Sequence, residues 1–193
     1  MSRRNRPAPE LFQAAIDGDR RALARLLSLI ERGDDDARVI GRLAYPRSGS
    51  GYTIGLTGAP GAGKSTLTSA LIGHLRAQEL EIAVLAIDPS SPFTGGAILG
   101  DRVRMQDHAT DPGVFIRSMA TRGHLGGLSL ATPEAVRFLD EIGRKWILVE
   151  TVGVGQVEVE VAGKADTTVV VVNPGWGDSV QAKKAGLMEI ADV

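Results

Sequence analysis

The stretch Gly58-Ala59-Pro60-Gly61-Ala62-Gly63-Lys64-Ser65 constrains this chain more than any other. It sets two glycines, a lysine and a hydroxyl at the spacing of a P-loop. Small residues let the backbone wrap close to a polyphosphate, so that several N–H groups and the positive end of the following helix face the anionic oxygens. Lys64 would then reach the β- and γ-phosphates, and the Ser65 hydroxyl would hold Mg²⁺. The expected nucleotide-binding set is Gly58, Ala59, Pro60, Gly61, Ala62, Gly63, Lys64, Ser65 and Thr66.

Such a pattern needs a strand entering the loop and a helix leaving it. Residues 52–57 are short, β-rich and apolar, as a buried parallel strand should be, and Leu67, Ala70, Leu71 and Leu75 recur at helical spacing behind the loop. A Gly-rich turn with an accidental Lys-Ser is the plain alternative, and it requires neither flank. Further β-like runs at 82–87, 114–117, 146–149 and 168–172 alternate with helical patterns. That alternation predicts an α/β fold, a P-loop NTPase with a mostly parallel sheet flanked by helices.

Ahead of this lies a short α-helical N-terminal segment, residues 1–45, leaving 46–193 as the P-loop domain. Leu11, Phe12, Ala15 and Ile16 suggest one helix, stopped near Asp17-Gly18-Asp19, where Asp19 can cap a second helix with Leu23, Leu26, Leu27 and Ile30 on one face. A third helix starts at Asp34-Asp35-Asp36 and turns Val39, Ile40 and Leu43 inward, and residues 46–51 form a linker. The segment is read equally as a docking or dimerisation element and as simple packing against the main domain.

Composition excludes several classes. With 22 basic against 23 acidic residues and no cysteine, the 193-residue chain offers no disulfide framework, no thiolate metal site and no global charge suited to nucleic acid or membrane. The basic first residues are followed by no apolar core, and no transmembrane run is present, so the expected location is cytoplasmic.

In open parallel sheets, ligands bind beyond the carboxyl ends of the strands, so strand-end acids are the next candidates. Asp88 closes the run 82–87 and Glu150 closes 146–149. Either residue could instead cap a helix or form a turn. A nucleotide-hydrolysing site, however, needs carboxylates to fix the metal and order the attacking water. Between them, residues 89–113 form a connection long enough to be functional; it offers Asp101 as a further carboxylate, and Arg102 and Arg104 as phosphate contacts or plain surface charges.

Asp88-Pro89-Ser90-Ser91-Pro92-Phe93-Thr94-Gly95-Gly96, Leu99-Gly100-Asp101-Arg102, Arg122-Gly123-His124-Leu125-Gly126-Gly127 and Glu150-Thr151-Val152-Gly153-Val154-Gly155-Gln156 lie in order behind the P-loop. Together they resemble the MeaB/ArgK-type GTPases of the SIMIBI class, over nearly the whole chain. The resemblance implies a GTP/GDP- and Mg²⁺-binding G protein, a metallochaperone that gates cofactor loading and protects or reactivates an adenosylcobalamin-dependent methylmalonyl-CoA mutase or a relative. It implies Lys64, Asp88, Asp101 and Glu150 as catalytic and Ser65, Asp88, Asp101 and Glu150 as metal-binding. It also likens Gly175-Trp176-Gly177-Asp178, with Gln181, Lys183 and Lys184, to a loop that senses the mutase.

Two departures stand out: Val157 occupies a position where the family usually has Ser, and the Asn-Lys-x-Asp motif that reads guanine does not occur before Val193. Guanine specificity and a homodimer in the full-length protein therefore rest on the resemblance alone. A P-loop kinase linked to amino-acid transport and a non-catalytic nucleotide-binding fragment are the alternative functions.

Overall fold

The computed structural model describes residues 6–33, 35–46, 49–88, 106–120, 127–151, 162–173 and 189–193. Three helices open the chain: α1 (Ala8–Ile16), α2 (Arg20–Arg32) and α3 (Asp35–Ala44). Asp19 caps α2 as its position predicts, its carboxylate accepting from the Arg21 and Ala22 amides at 2.9 and 3.2 Å. Those two amide bonds hold the Asp19 carboxyl below the usual carboxylate range. Gly33 ends the helix in the left-handed conformation.

The expected apolar face of α2 is fully realised, with Leu23, Leu26, Leu27 and Ile30 all buried. In α3 the face is rotated from expectation. Ala37, Ile40 and Ala44 are buried and Val39 packs partly buried against the core, whereas Leu43 is exposed.

The sheet is built from β1 (Tyr52–Gly58), α4 (Lys64–Arg76), β2 (Ile82–Asp88), the single turn α5 (Gln106–Ala109), β3 (Val114–Ala120), α6 (Gly127–Glu141), β4 (Trp146–Thr151) and β5 (Thr167–Val171). Its strand order is β3-β2-β4-β1-β5, and every pairing is parallel. Most strands reach further than their apolar runs suggest: Asp88 and Glu150 are paired strand residues, with Glu150 opposite Leu56 of β1 and Ala86 of β2. Residues 192–193 lie beside the outer edge of β5, where the Val193 carbonyl accepts from the Val170 amide at 3.0 Å.

Alternation along the strands divides the interior into two cores. One face sends Ala83, Leu85, Ile87, Ile147 and Val149 toward α2, α3 and α6; the other sends Val84, Leu56 and Leu148 toward Ile72 and Leu75 of α4. The N-terminal helices therefore pack as a layer on the sheet. Phe12 meets Phe138 with ring centroids 5.5 Å apart, and Arg117 of β3 donates to Glu31 of α2 at 2.7 Å, a pair whose carboxylate side chain is only 6% exposed. The linker is fastened as well, since Asp140 at the end of α6 accepts from the amides of Gly49 and Ser50.

Candidate functional site

β1 delivers the chain to the P-loop at the carboxyl end of the sheet. Gly58 is required there by its neighbours: its φ is +138°, and a Cβ on it would lie 2.2 Å from the Val171 carbonyl oxygen of β5. The loop then turns through Gly61 and Gly63, both at positive φ, and α4 begins with no side-chain cap. A helix start left in that condition presents its first amides and the positive end of its dipole to whatever occupies the loop.

Lys64 folds back over the loop. Its ammonium is buried and donates to the carbonyls of Gly58 at 2.8 Å and Ala59 at 2.9 Å, so the loop is braced around a cation. Thr66 is exposed on the first turn of α4.

The two chemical groups that sequence reasoning places far apart meet here. Glu150 shares a face of β4 with Leu148, the face turned to α4, by the two-residue period of a strand. Its Oε1 accepts from Ser65 Oγ at 2.5 Å, although 85 residues separate the two, and its side chain is buried. Its Oε2 is contacted by Thr68 Oγ1 at 2.8 Å. Thr68 was not a candidate from the sequence. Its place three residues after Ser65, hence on the same helix face, is the signal that could have found it.

Beneath these contacts a hydroxyl pair ties the roots of the loop and of the chain leaving β4, with Thr151 Oγ1 donating to Thr57 Oγ1 at 3.0 Å, both fully buried.

Asp88 ends β2 in register with Ala120, at the same carboxyl edge of the sheet, but its side chain lies outside the described residues, as do Asp101, Arg102 and Arg104. So do the 122–127 and 152–157 motifs and the Gly175 to Lys184 stretch, apart from the backbone of Gly127. The segment from Gln106 to Gly113 is nonetheless anchored to the P-loop helix. His108 of α5 shares a hydrogen bond with Ser69 Oγ at 2.9 Å, and Arg76 of α4 donates to Asp111 at 2.8 Å. The Arg76 guanidinium, and then the Gly113 amide, hold the Asp111 carboxyl below the usual range.

Among the described residues, no group of three or more His, Asp or Glu side chains is arranged to hold a metal, and no helix is long and apolar enough to cross a membrane. The hydroxyl and carboxylate that do converge are hard oxygen donors of the kind that hold Mg²⁺ together with substrate phosphates. A cavity of about 260 Å³ sits on the opposite face, between Thr132 and Val136 of α6 and Ala165, and involves none of these groups.

The family described as methylmalonyl Co-A mutase-associated GTPase MeaB matches residues 23–193. A Pyrococcus abyssi protein with a provisional GTPase name is 60% identical over 184 residues, covering 95% of this chain and 57% of that one. GTPase ArgK of Escherichia coli is 42% identical over 188 residues, again 95% and 57%. The chain thus spans a little over half the length of these curated relatives. A crystal structure described as a LAO/AO transport system kinase superposes with a TM-score of 0.68 at 28% identity, covering 100% of this chain and 56% of that one.

Proposed function

This chain belongs to the family of the methylmalonyl Co-A mutase-associated GTPase MeaB, and from that premise we propose that it binds GTP and Mg²⁺ at the P-loop and hydrolyses the γ-phosphate. The observation that carries the reading is the convergence of Ser65 and Glu150 at 2.5 Å beside an uncapped helix start. The first-turn amides of α4 receive the phosphate oxygens, and the Lys64 ammonium moves from its two loop carbonyls to the β- and γ-phosphates. Ser65 and Glu150, with Asp88 and Asp101, hold the cation. Mg²⁺ in that position supplies neutralisation of the charge that develops on the phosphate oxygens. Before the cation binds, two hydroxyls hold Glu150, so the site offers it a fixed carboxylate rather than a mobile one.

In the same proposal, residues 46–193 form the nucleotide domain and residues 1–45 its supporting helices. The full-length protein is a cytoplasmic homodimer that gates cofactor loading and protects or reactivates an adenosylcobalamin-dependent mutase such as methylmalonyl-CoA mutase. The association with that mutase in the family's description supports this partner. A kinase is the second reading, favoured by the name of the solved transport-system relative.

One experiment separates them. The full-length protein is incubated with γ-labelled GTP or ATP, with and without mutase, and the label is followed. Release of inorganic phosphate from GTP in preference to ATP, with the rate reduced at least tenfold in Glu150→Gln, is the expected result. Label appearing on an acceptor instead establishes the kinase, and no turnover of either nucleotide removes both.

A further inference from the structure

We propose that Thr68 is a positioning residue for Glu150, a hydroxyl that sets the orientation of the metal-side carboxylate when Ser65 is no longer available to do so. The inference rests on the nucleotide reading above and adds to it a residue outside the P-loop pattern.

Ser65 and Thr68 both contact Glu150 in this structure, one on each carboxylate oxygen. Their situations differ. Ser65 is partly exposed at the mouth of the loop and is the hydroxyl proposed to turn toward the cation. Thr68 is completely buried and stays where the helix puts it. Once Ser65 has turned, Thr68 is the α4 hydroxyl that still holds the carboxylate, and holding Oε2 leaves Oε1 directed at the space beside Ser65.

The hydrogen-bond count supports that assignment. Thr68 Oγ1 lies 2.9 Å from the Lys64 carbonyl and 2.8 Å from Glu150 Oε2, and a hydroxyl has one proton for the two acceptors. A bond to the carbonyl four residues back is the ordinary way a helical threonine satisfies itself. A bond to a carboxylate is charge-assisted and about twice as strong, so the proton goes to Glu150. The Lys64 carbonyl does not depend on it, being an interior acceptor of the α4 ladder. Thr68 therefore stands within reach of a spare acceptor and the functional one, which allows the hydroxyl to follow small movements of the carboxylate without being left unpaired.

Glu150 also needs such a holder. It leaves a central strand bonded on both sides, so its backbone is fixed, and only its side-chain torsions remain to be set. A buried carboxylate without a donor is costly, and one that rotates would present either oxygen to the cation.

The test uses the full-length protein with a fluorescent GDP analogue titrated at rising Mg²⁺. Thr68→Val keeps the shape and removes the hydroxyl; Thr68→Ser keeps the hydroxyl. The expected result is that Thr68→Val raises the Mg²⁺ concentration needed for half-maximal stabilisation of bound nucleotide by about tenfold. Nucleotide affinity measured in EDTA should stay within about twofold of the parent, and Thr68→Ser should restore most of the Mg²⁺ response. Glu150→Gln should abolish the difference between Thr and Val at position 68, since the two changes act through one group.

A folded Thr68→Val protein with the parental Mg²⁺ response overturns the inference. So does a loss of affinity in EDTA equal to the loss in Mg²⁺, which marks a purely structural residue. If Thr68→Val does not fold, Thr68→Ser and the parent are compared in the Glu150→Gln background, where a remaining difference in Mg²⁺ response overturns it equally. A parent protein whose nucleotide binding ignores Mg²⁺ removes the nucleotide reading itself, a result distinct from a failure at position 68 alone.

Discussion

The two faces of this sheet treat polar groups in opposite ways. On the side of α2, α3 and α6, charges are consumed by the fold. Asp19 closes the start of α2, Arg20 donates to the Asp111 and Val114 carbonyls, and Arg117 pairs with Glu31 between layer and sheet. On the side of α4, the helix start carries no side-chain cap, and Lys64, Ser65, Thr68 and Glu150 gather against it. The start of α2 is closed by Asp19, and the start of α4 is open at Gly63. The start of α1 at Pro7 also lacks a side-chain cap, so what marks the α4 terminus is the gathering of Lys64, Ser65 and Glu150 around its open amides rather than the missing cap alone.

The contrast can be broken most forcefully at Arg117. Arg117→Ala leaves Glu31 buried without its cation, and the expected cost is about 3–5 kcal/mol of stability, read by denaturant unfolding, with nucleotide affinity unchanged in the protein that remains folded. A loss below about 1 kcal/mol would show that the helical layer does not rely on the pair.

Lys64→Ala should do the reverse. Removing the ammonium loses a charge-assisted contact with phosphate of roughly 1.5–3 kcal/mol, so nucleotide affinity falls about tenfold or more while the melting temperature moves far less than in Arg117→Ala. Equal losses of stability and affinity would end the division of labour between the faces.

The smallest effect is expected at the capped helix. Asp19→Ala should lower the melting temperature by a few degrees at neutral pH and leave nucleotide binding intact. Because the folded state depresses the Asp19 carboxyl, the cap's contribution is present above the ordinary carboxylate pKa and fades as the pH falls through the lower folded value. The gap between parent and variant should therefore narrow below about pH 4, as thermal melts across that range will read. A gap that widens in acid would mean that the cap is not the source of the difference.

The helix α2, its cap and the strand feeding the P-loop were legible because each is written in a local run: Leu23, Leu26, Leu27 and Ile30 recur at one spacing, and Asp19 stands just before them. In α3 periodicity turns Leu43 inward, whereas the buried positions are Ala37, Ile40 and Ala44, because spacing along a helix does not say which side of it the neighbouring elements cover. Glu150 could be suspected from its place after an apolar run. For Thr68 the spacing offers only that it shares a helix face with Ser65; which strand that face meets, and so which carboxylate the hydroxyl reaches, is not written in the helix.

By itself, then, the sequence determined what depends on neighbours along the chain. Glycines that admit positive φ, a lysine and serine at the loop's end, the alternation of strands and helices, and the caps all act over a few residues. Tertiary structure alone decided the pairings that carry the chemistry. The strand order β3-β2-β4-β1-β5 sets β4 beside β1, and only then does Glu150 come within reach of two hydroxyls 82 and 85 residues away. Such a meeting is fixed by the order in which strands enter the sheet and by which face each turns to α4. Neither is a property of any short segment.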